Sequence, residues 1–120
     1  MSYEFESLAV WQRACRVTCE VYKAMALCKD NVLKNQITRS ALSIPSNIGE
    51  GEERETIKDM VRFYVIAKGS AGELVTQLYI GIKIGLIESS IGFSLIDEVK
   101  QITAMIVAII KYKRSNISEI

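Results

Sequence analysis

Through most of the chain, apolar residues recur at spacings of three and four, the repeat of a single helix face. Leu8, Trp11, Ala14, Val17, Val21 and Met25 make one such stripe, predicting a helix over about residues 7–28 with Ser7 as its N-cap. Ile37, Ala41, Leu42, Ile44 and Ile48 make a second, over about residues 32–49. Pro45 falls inside it, where a proline removes a hydrogen bond and kinks or ends a helix. The stripe persists across Pro45, so the pattern favours a kinked helix; the alternative is a helix that stops at Ser43. The run Gly49-Glu-Gly-Glu-Glu-Arg54 predicts a turn. Thr56 then caps a third helix over about residues 57–84, with Met60, Phe63, Ala67, Leu74, Leu78 and Gly81 on its core face. A break at Glu88-Ser-Ser-Ile-Gly92 precedes a fourth helix over about residues 94–114, with Leu95, Val99, Ile102, Ile106 and Ile109 in line. No useful length alternates with period two. Long helices joined by short connections predict an all-α protein, an antiparallel up-down-up-down four-helix bundle forming one domain over residues 1–120.

The third and fourth helices carry more apolar surface than one bundle core can take. Ile102-Thr-Ala-Met-Ile-Val-Ala-Ile-Ile110 is apolar nearly all round, and Val61, Tyr64, Val65, Val75, Tyr79 and Ile82 are a similar surplus on the third helix. A helix apolar on every side needs burial on more than one. The pattern therefore predicts a homo-oligomer joined through helices three and four. Gly69, Gly72, Gly81 and Gly85 weaken the third helix and mark places where a neighbouring helix comes close.

Composition mainly removes possibilities. The 120 residues are 49% hydrophobic and 24% charged, which excludes a disordered chain. The formal charge is +1, so no strong overall field draws the molecule to nucleic acid or membrane. Histidine is absent, and with it the usual general base and the commonest metal ligand. The cysteines, Cys15, Cys19 and Cys28, are odd in number and read as small hydrophobes in a reducing compartment. The opening Met1-Ser-Tyr-Glu-Phe-Glu6 has no basic and apolar signal pattern, and no uncharged stretch approaches membrane-spanning length. A cytoplasmic protein without cofactor, metal or membrane partner is expected.

Two polar stripes accompany the apolar ones. Arg39, Ser43, Ser46 or Asn47, and Glu50 line one side of the second helix, and Ser70, Glu73 and Gln77 one side of the third. If the stripes face each other, Arg39 pairs with Glu50 or Glu73 while Asn47 and Ser70 complete a polar lock that sets helix register. A catalytic or metal reading of the same carboxylates lacks a histidine and meets competition from Arg39. Basic residues gather weakly at Arg13, Arg16 and Lys23 on the first helix and at Lys111, Lys113 and Arg114 on the fourth. These six are the candidate contacts for RNA or DNA, opposed by the acidic run Glu50, Glu52, Glu53, Glu55 and Asp59.

Leu8-Ala-Val-Trp-Gln-Arg-Ala14, Gln36-Ile-Thr-Arg39, Ser43-Ile-Pro-Ser-Asn-Ile-Gly-Glu-Gly51 and Phe63-Tyr-Val-Ile-Ala-Lys-Gly-Ser70 with Glu73 carry a family resemblance. In order and content they resemble the four-helix bundle proteins encoded in bacterial 23S rRNA intervening sequences. The resemblance implies a ring-like homopentamer with no catalytic activity. It also implies a distant relation to the accessory protein of diversity-generating retroelements, a basic pentamer that binds nucleic acid and partners a reverse transcriptase. With a charge of only +1, this chain departs from that basic pattern.

Together these readings give a non-enzymatic assembly protein that meets RNA, DNA or a nucleic-acid enzyme through its basic residues. The alternative is a protein–protein scaffold with no nucleic-acid affinity. An enzyme would need a pocket joining Glu50 and Glu73.

Overall fold

The computed structural model describes residues 1–117. A 3-10 turn, Glu4–Ser7, leads into four helices: α1, Ala9–Met25; α2, Asn31–Glu52; α3, Ile57–Lys83; and α4, Ser89–Ile117. Among the described residues there is no strand. Each helix packs on its neighbour in sequence and α4 closes onto α1, with the most extensive contacts at α2–α3 and α3–α4. The core is one cluster running from Val10 and Ala14 on α1, through Ile37, Ile44 and Ile48 on α2 and Leu74 and Leu78 on α3, to Val99, Ile102 and Ile106 on α4.

The helix ends follow from caps that spacing alone does not locate. Ser7 does not cap α1: it ends the 3-10 turn and donates to the Glu4 carbonyl at 2.8 Å, while Leu8 holds the N-cap position. The turn seats Phe5 against Trp11, ring centroids 5.3 Å apart, and over Gly49. Asp30 accepts the Leu33 amide at 3.0 Å to start α2, and Thr56 accepts the Asp59 amide at 3.1 Å to start α3. Glu88 accepts the amides of Ser90 and Ile91 at 3.1 and 3.0 Å, so α4 begins at Ser89 rather than near Ser94. These bonds, led by the one from the Ser90 hydroxyl, hold the Glu88 carboxyl below its ordinary range. After α3, Gly85 takes φ +78°, and the amides of Leu86 and Gly85 return to the carbonyls of Gly81 and Ile82, a Schellman stop.

The second helix runs through Pro45 and into the expected turn, as far as Glu52. Gly49 and Gly51 are buried, not part of a loop. A Cβ on Gly51 would stand 3.0 Å from the Phe63 Cβ and 3.2 Å from the Met60 carbonyl, so glycine lets α2 and α3 touch where the sequence suggested a break. Gly81 is likewise overlain by Ile87, whereas Gly69 and Gly72 meet nothing within 4 Å. Several apolar assignments also change. Leu42 faces outward, Ile110 rather than Ile109 is buried, and Val61 and Tyr64 belong to the core and not to the surplus. Cys19 is exposed, with Cys15 and Cys28 half-buried.

Candidate interaction surface

The polar lock forms in part. Ser43 and Ser70 join α2 to α3 through a 2.8 Å hydroxyl–hydroxyl bond, and Asn47 Nδ2 donates to the Ser43 carbonyl at 2.7 Å and to its hydroxyl at 2.9 Å. Arg39 and Glu73 are exposed; they line a cleft of about 310 Å³ with Gln36, Ser40, Ser43 and Ser70, and make no ion pair among the described residues. Glu50 turns instead to Arg54 at 2.7 Å and does not line that cleft. The expected salt bridge from Arg39 is therefore absent, because the hydroxyls satisfy one another without a charge. The Gln77 side-chain oxygen is buried without a partner.

A different lock ties the far end of α4 to the rest. Lys113 Nζ lies 3.1 Å from Glu52 Oε2, with the two side chains 15% and 20% exposed. The same carboxylate accepts the hydroxyl of fully buried Tyr64, whose ring the Lys113 ammonium overlies at 5.5 Å. Burial, then the bond to Glu52, pushes the Tyr64 phenol well above its ordinary range. The chain's pattern did not join this triad, since its members lie on three helices and read separately as part of an acidic run (Glu52), surplus apolar surface (Tyr64) and a surface cation (Lys113).

The six basic candidates separate into two kinds. Arg13 is held bidentately by Glu98, at 2.9 and 2.7 Å, and by the Gln101 side chain at 2.7 Å. The Arg13 hydrogen bond holds the Glu98 carboxyl below its ordinary range, against the opposing effect of burial, with smaller help from the charges of Arg13 and Arg16. The same bond raises Arg13. Lys113 belongs to the Glu52 triad. Arg16, Lys23, Lys111 and Arg114 remain exposed. Arg16 shares its cleft with Glu20, Asp97 and Glu98, which offset the positive charge on that side.

Lys111 and Arg114 sit elsewhere, on a groove between α3 and α4. Two adjoining clefts of about 340 and 550 Å³ share Val65 and Arg114. Their apolar lining is Val61, Val65 and Ile66 from α3 with Val107, Ile110 and Ile117 from α4, and their cations are Lys58, Arg62, Lys68, Lys111 and Arg114. Among the described residues no carboxylate and no aromatic ring lines either cleft. Arg62 is partly engaged by Asp59 at 3.0 Å; the other four make no ion pair among the described residues. Lys58, Arg62 and Lys68 were passed over in the sequence, although Lys58 and Arg62, seven and three residues before the outward Val65, share its helix face.

At the other end of the same two helices lies an exposed apolar corner. Tyr79, Ile80, Ile84, Leu86, Ile91 and Phe93 are each at least two-fifths exposed, from 40% for Leu86 to 59% for Ile84. Among the described residues no helix is long and apolar enough to cross a membrane, and no three His, Cys, Asp or Glu side chains gather as metal ligands.

No curated protein matches the chain. It is similar to a solved protein of unknown function from the S23 ribosomal protein family of Bacteroides thetaiotaomicron. The identity is 26% over 86% of this chain and 99% of that one, with a TM-score of 0.81. The family model for the 23S rRNA-intervening sequence protein matches residues 6–108. With that match spanning the helical stripes, the polar Ser-Ile-Pro-Ser-Asn segment and most of α4, the chain belongs to the 23S rRNA-intervening sequence protein family.

Proposed function

We propose that the chain is a non-enzymatic assembly protein, an antiparallel up-down-up-down bundle whose copies join in a ring through α3 and α4. The observation that carries this reading is the apolar corner of Tyr79, Ile80, Ile84, Leu86, Ile91 and Phe93, left uncovered where α3 turns into α4. Exposed apolar side chains gathered where two helices are joined favour a contact site, and Tyr79 and Phe93 already meet across α3 and α4, ring centroids 6.1 Å apart. The up-down order is supported by contacts at both ends: Lys113 meets Glu52, and the Gly81 backbone lies beside Leu33. The assembly meets RNA, DNA or a nucleic-acid enzyme through Arg16, Lys23, Lys111 and Arg114, the candidate cations left exposed. The test is light scattering of the protein beside Ile84→Asp and Phe93→Asp, together with titration of structured RNA and single-stranded DNA at low and physiological salt. The reading requires a mass of several subunits that falls in both variants, and nucleic-acid binding that weakens steeply with salt.

A second reading, a protein scaffold without nucleic-acid affinity, is favoured by one observation. Arg13 and Lys113 are tied to Glu98 and Glu52, which leaves little free charge for phosphate. Failure to bind either nucleic acid at low salt, with the oligomer intact, selects it.

A further inference from the structure

We infer that the cation-rimmed groove between the start of α3 and the end of α4 is a docking site for an acidic amphipathic helix of another protein. The inference rests on three features of the groove. Its floor is aliphatic: Val65, Val107 and Ile117 are exposed there, 39–44% accessible. Its rim is cationic on both sides, with Lys58 and Lys68 on α3 and Lys111 and Arg114 on α4, and no carboxylate of the described residues lines it. Its length suits a short helix: Lys58 to Lys68 spans about 15 Å at 1.5 Å per residue, or roughly three helical turns.

A helix laid in a groove between two others anchors through apolar residues at i, i+3 and i+7. Carboxylates on the two flanks of such a stripe would meet the lysines and arginine, whose long side chains can also cover its edges. A single nucleic-acid strand is the weaker match. Strand binding without sequence preference relies on aromatic stacking platforms, and no aromatic ring lines this groove. A second copy of the chain is the other competitor, but the apolar corner proposed for self-association lies at the opposite end of α3. The inference is therefore independent of self-association through that corner; it competes with the nucleic-acid contact proposed above for Lys111 and Arg114, and the oligouridine comparison separates the two.

The experiment uses the full chain and a fluorescent synthetic peptide helix with leucines along one stripe and glutamates on both flanks. Its scrambled isomer and oligouridine RNA serve as comparisons. Fluorescence anisotropy at physiological salt should give saturable binding of the patterned peptide and not of the scrambled one. Lys68→Glu combined with Lys111→Glu should weaken it about tenfold or more, because rim charges on both sides are reversed. Val65→Asn, an exposed floor position, should weaken it while leaving the circular dichroism spectrum unchanged, and Lys83→Glu at the far end should have no effect. Equal binding of the scrambled isomer overturns the proposal, as does binding that ignores the rim and floor variants. Oligouridine binding lost in the double variant, without peptide binding, reassigns the groove to nucleic acid. A drop in subunit number in the double variant reassigns it to a second copy.

Discussion

Thr18 repairs the defect that Pro45 makes. In an α-helix the carbonyl of residue 41 would accept the amide of residue 45, and proline has none. The Thr18 hydroxyl of α1 stands 3.0 Å from that Ala41 carbonyl and 2.7 Å from its own Ala14 carbonyl, its proton shared between them. Both Thr18 and Pro45 are buried, so the bond compensates a carbonyl that water does not reach easily. This is why α2 continues through Pro45 to Glu52 and does not stop at Ser43.

Thr18→Val, which keeps the shape and removes the donor, is expected to destabilise the fold by about 1–2 kcal/mol in urea unfolding. In a Pro45→Ala background the same change should cost clearly less, because the restored backbone amide takes the Ala41 carbonyl. Equal costs in the two backgrounds would show that the hydroxyl and the proline are uncoupled.

Lys113 is expected to behave as a structural residue. Lys113→Met leaves the Glu52 carboxylate and the Tyr64 hydroxyl without their cation in a largely buried place, at a cost of about 1–3 kcal/mol. Lys111→Met, on the neighbouring exposed position, should leave thermal unfolding unchanged. Any loss of ligand binding in a Lys113 variant must be read beside its unfolding curve.

The Arg13–Glu98 pair gives stability a defined pH dependence. The carboxyl is depressed in the folded state, so its contribution is present above the unfolded value and is lost as pH falls through the folded one. Glu98→Gln should be less stable than the unaltered protein at neutral pH. The gap should begin to narrow below about pH 4.3, the ordinary glutamate value, and close only below the depressed folded value. A gap that persists unchanged into acid would assign the loss to packing rather than charge.

Gly69 and Gly72 offer a stabilising change. A Cβ at either meets nothing within 4 Å, so Gly69→Ala and Gly72→Ala should each raise the stability of the isolated fold by about 0.5–1 kcal/mol. Gly51→Ala should lower it, since its Cβ would press on Phe63 and the Met60 carbonyl. A lowered melting temperature in the Gly69 or Gly72 variants would mean that another surface approaches them in solution.

Arg39→Ala should change stability by no more than about 0.5 kcal/mol, the range for surface positions without a partner. Removing a buried Arg39 paired with a carboxylate, the arrangement the polar stripe on α2 predicts, would cost several kcal/mol. The Ser43–Ser70 bond removes that premise, and Ser70→Ala is the substitution expected to expose the lock, at about 1 kcal/mol.

By itself the sequence determined the number of helices and most of the core. A three-four repeat specifies which face of a helix is buried whatever it packs against, so Ala14, Val17, Val21, Ile37, Ile44, Leu74, Leu78, Val99, Ile102 and Ile106 were legible at once. The boundaries were less so. Gly49 and Gly51 look like a turn until α3 is laid beside them, and a buried glycine in a helix has meaning only once the neighbour it admits is known. Of the pairings across helices, only the meeting of the two polar stripes at Ser43 and Ser70 was legible. Arg13 with Glu98, Lys113 with Glu52 and Tyr64, and Thr18 with Ala41 join residues far apart along the chain, and periodicity carries no information about which faces meet. The tertiary structure decided which cations are spent on internal carboxylates and which stay free, because a charge is available to a partner only where packing leaves no counter-charge beside it.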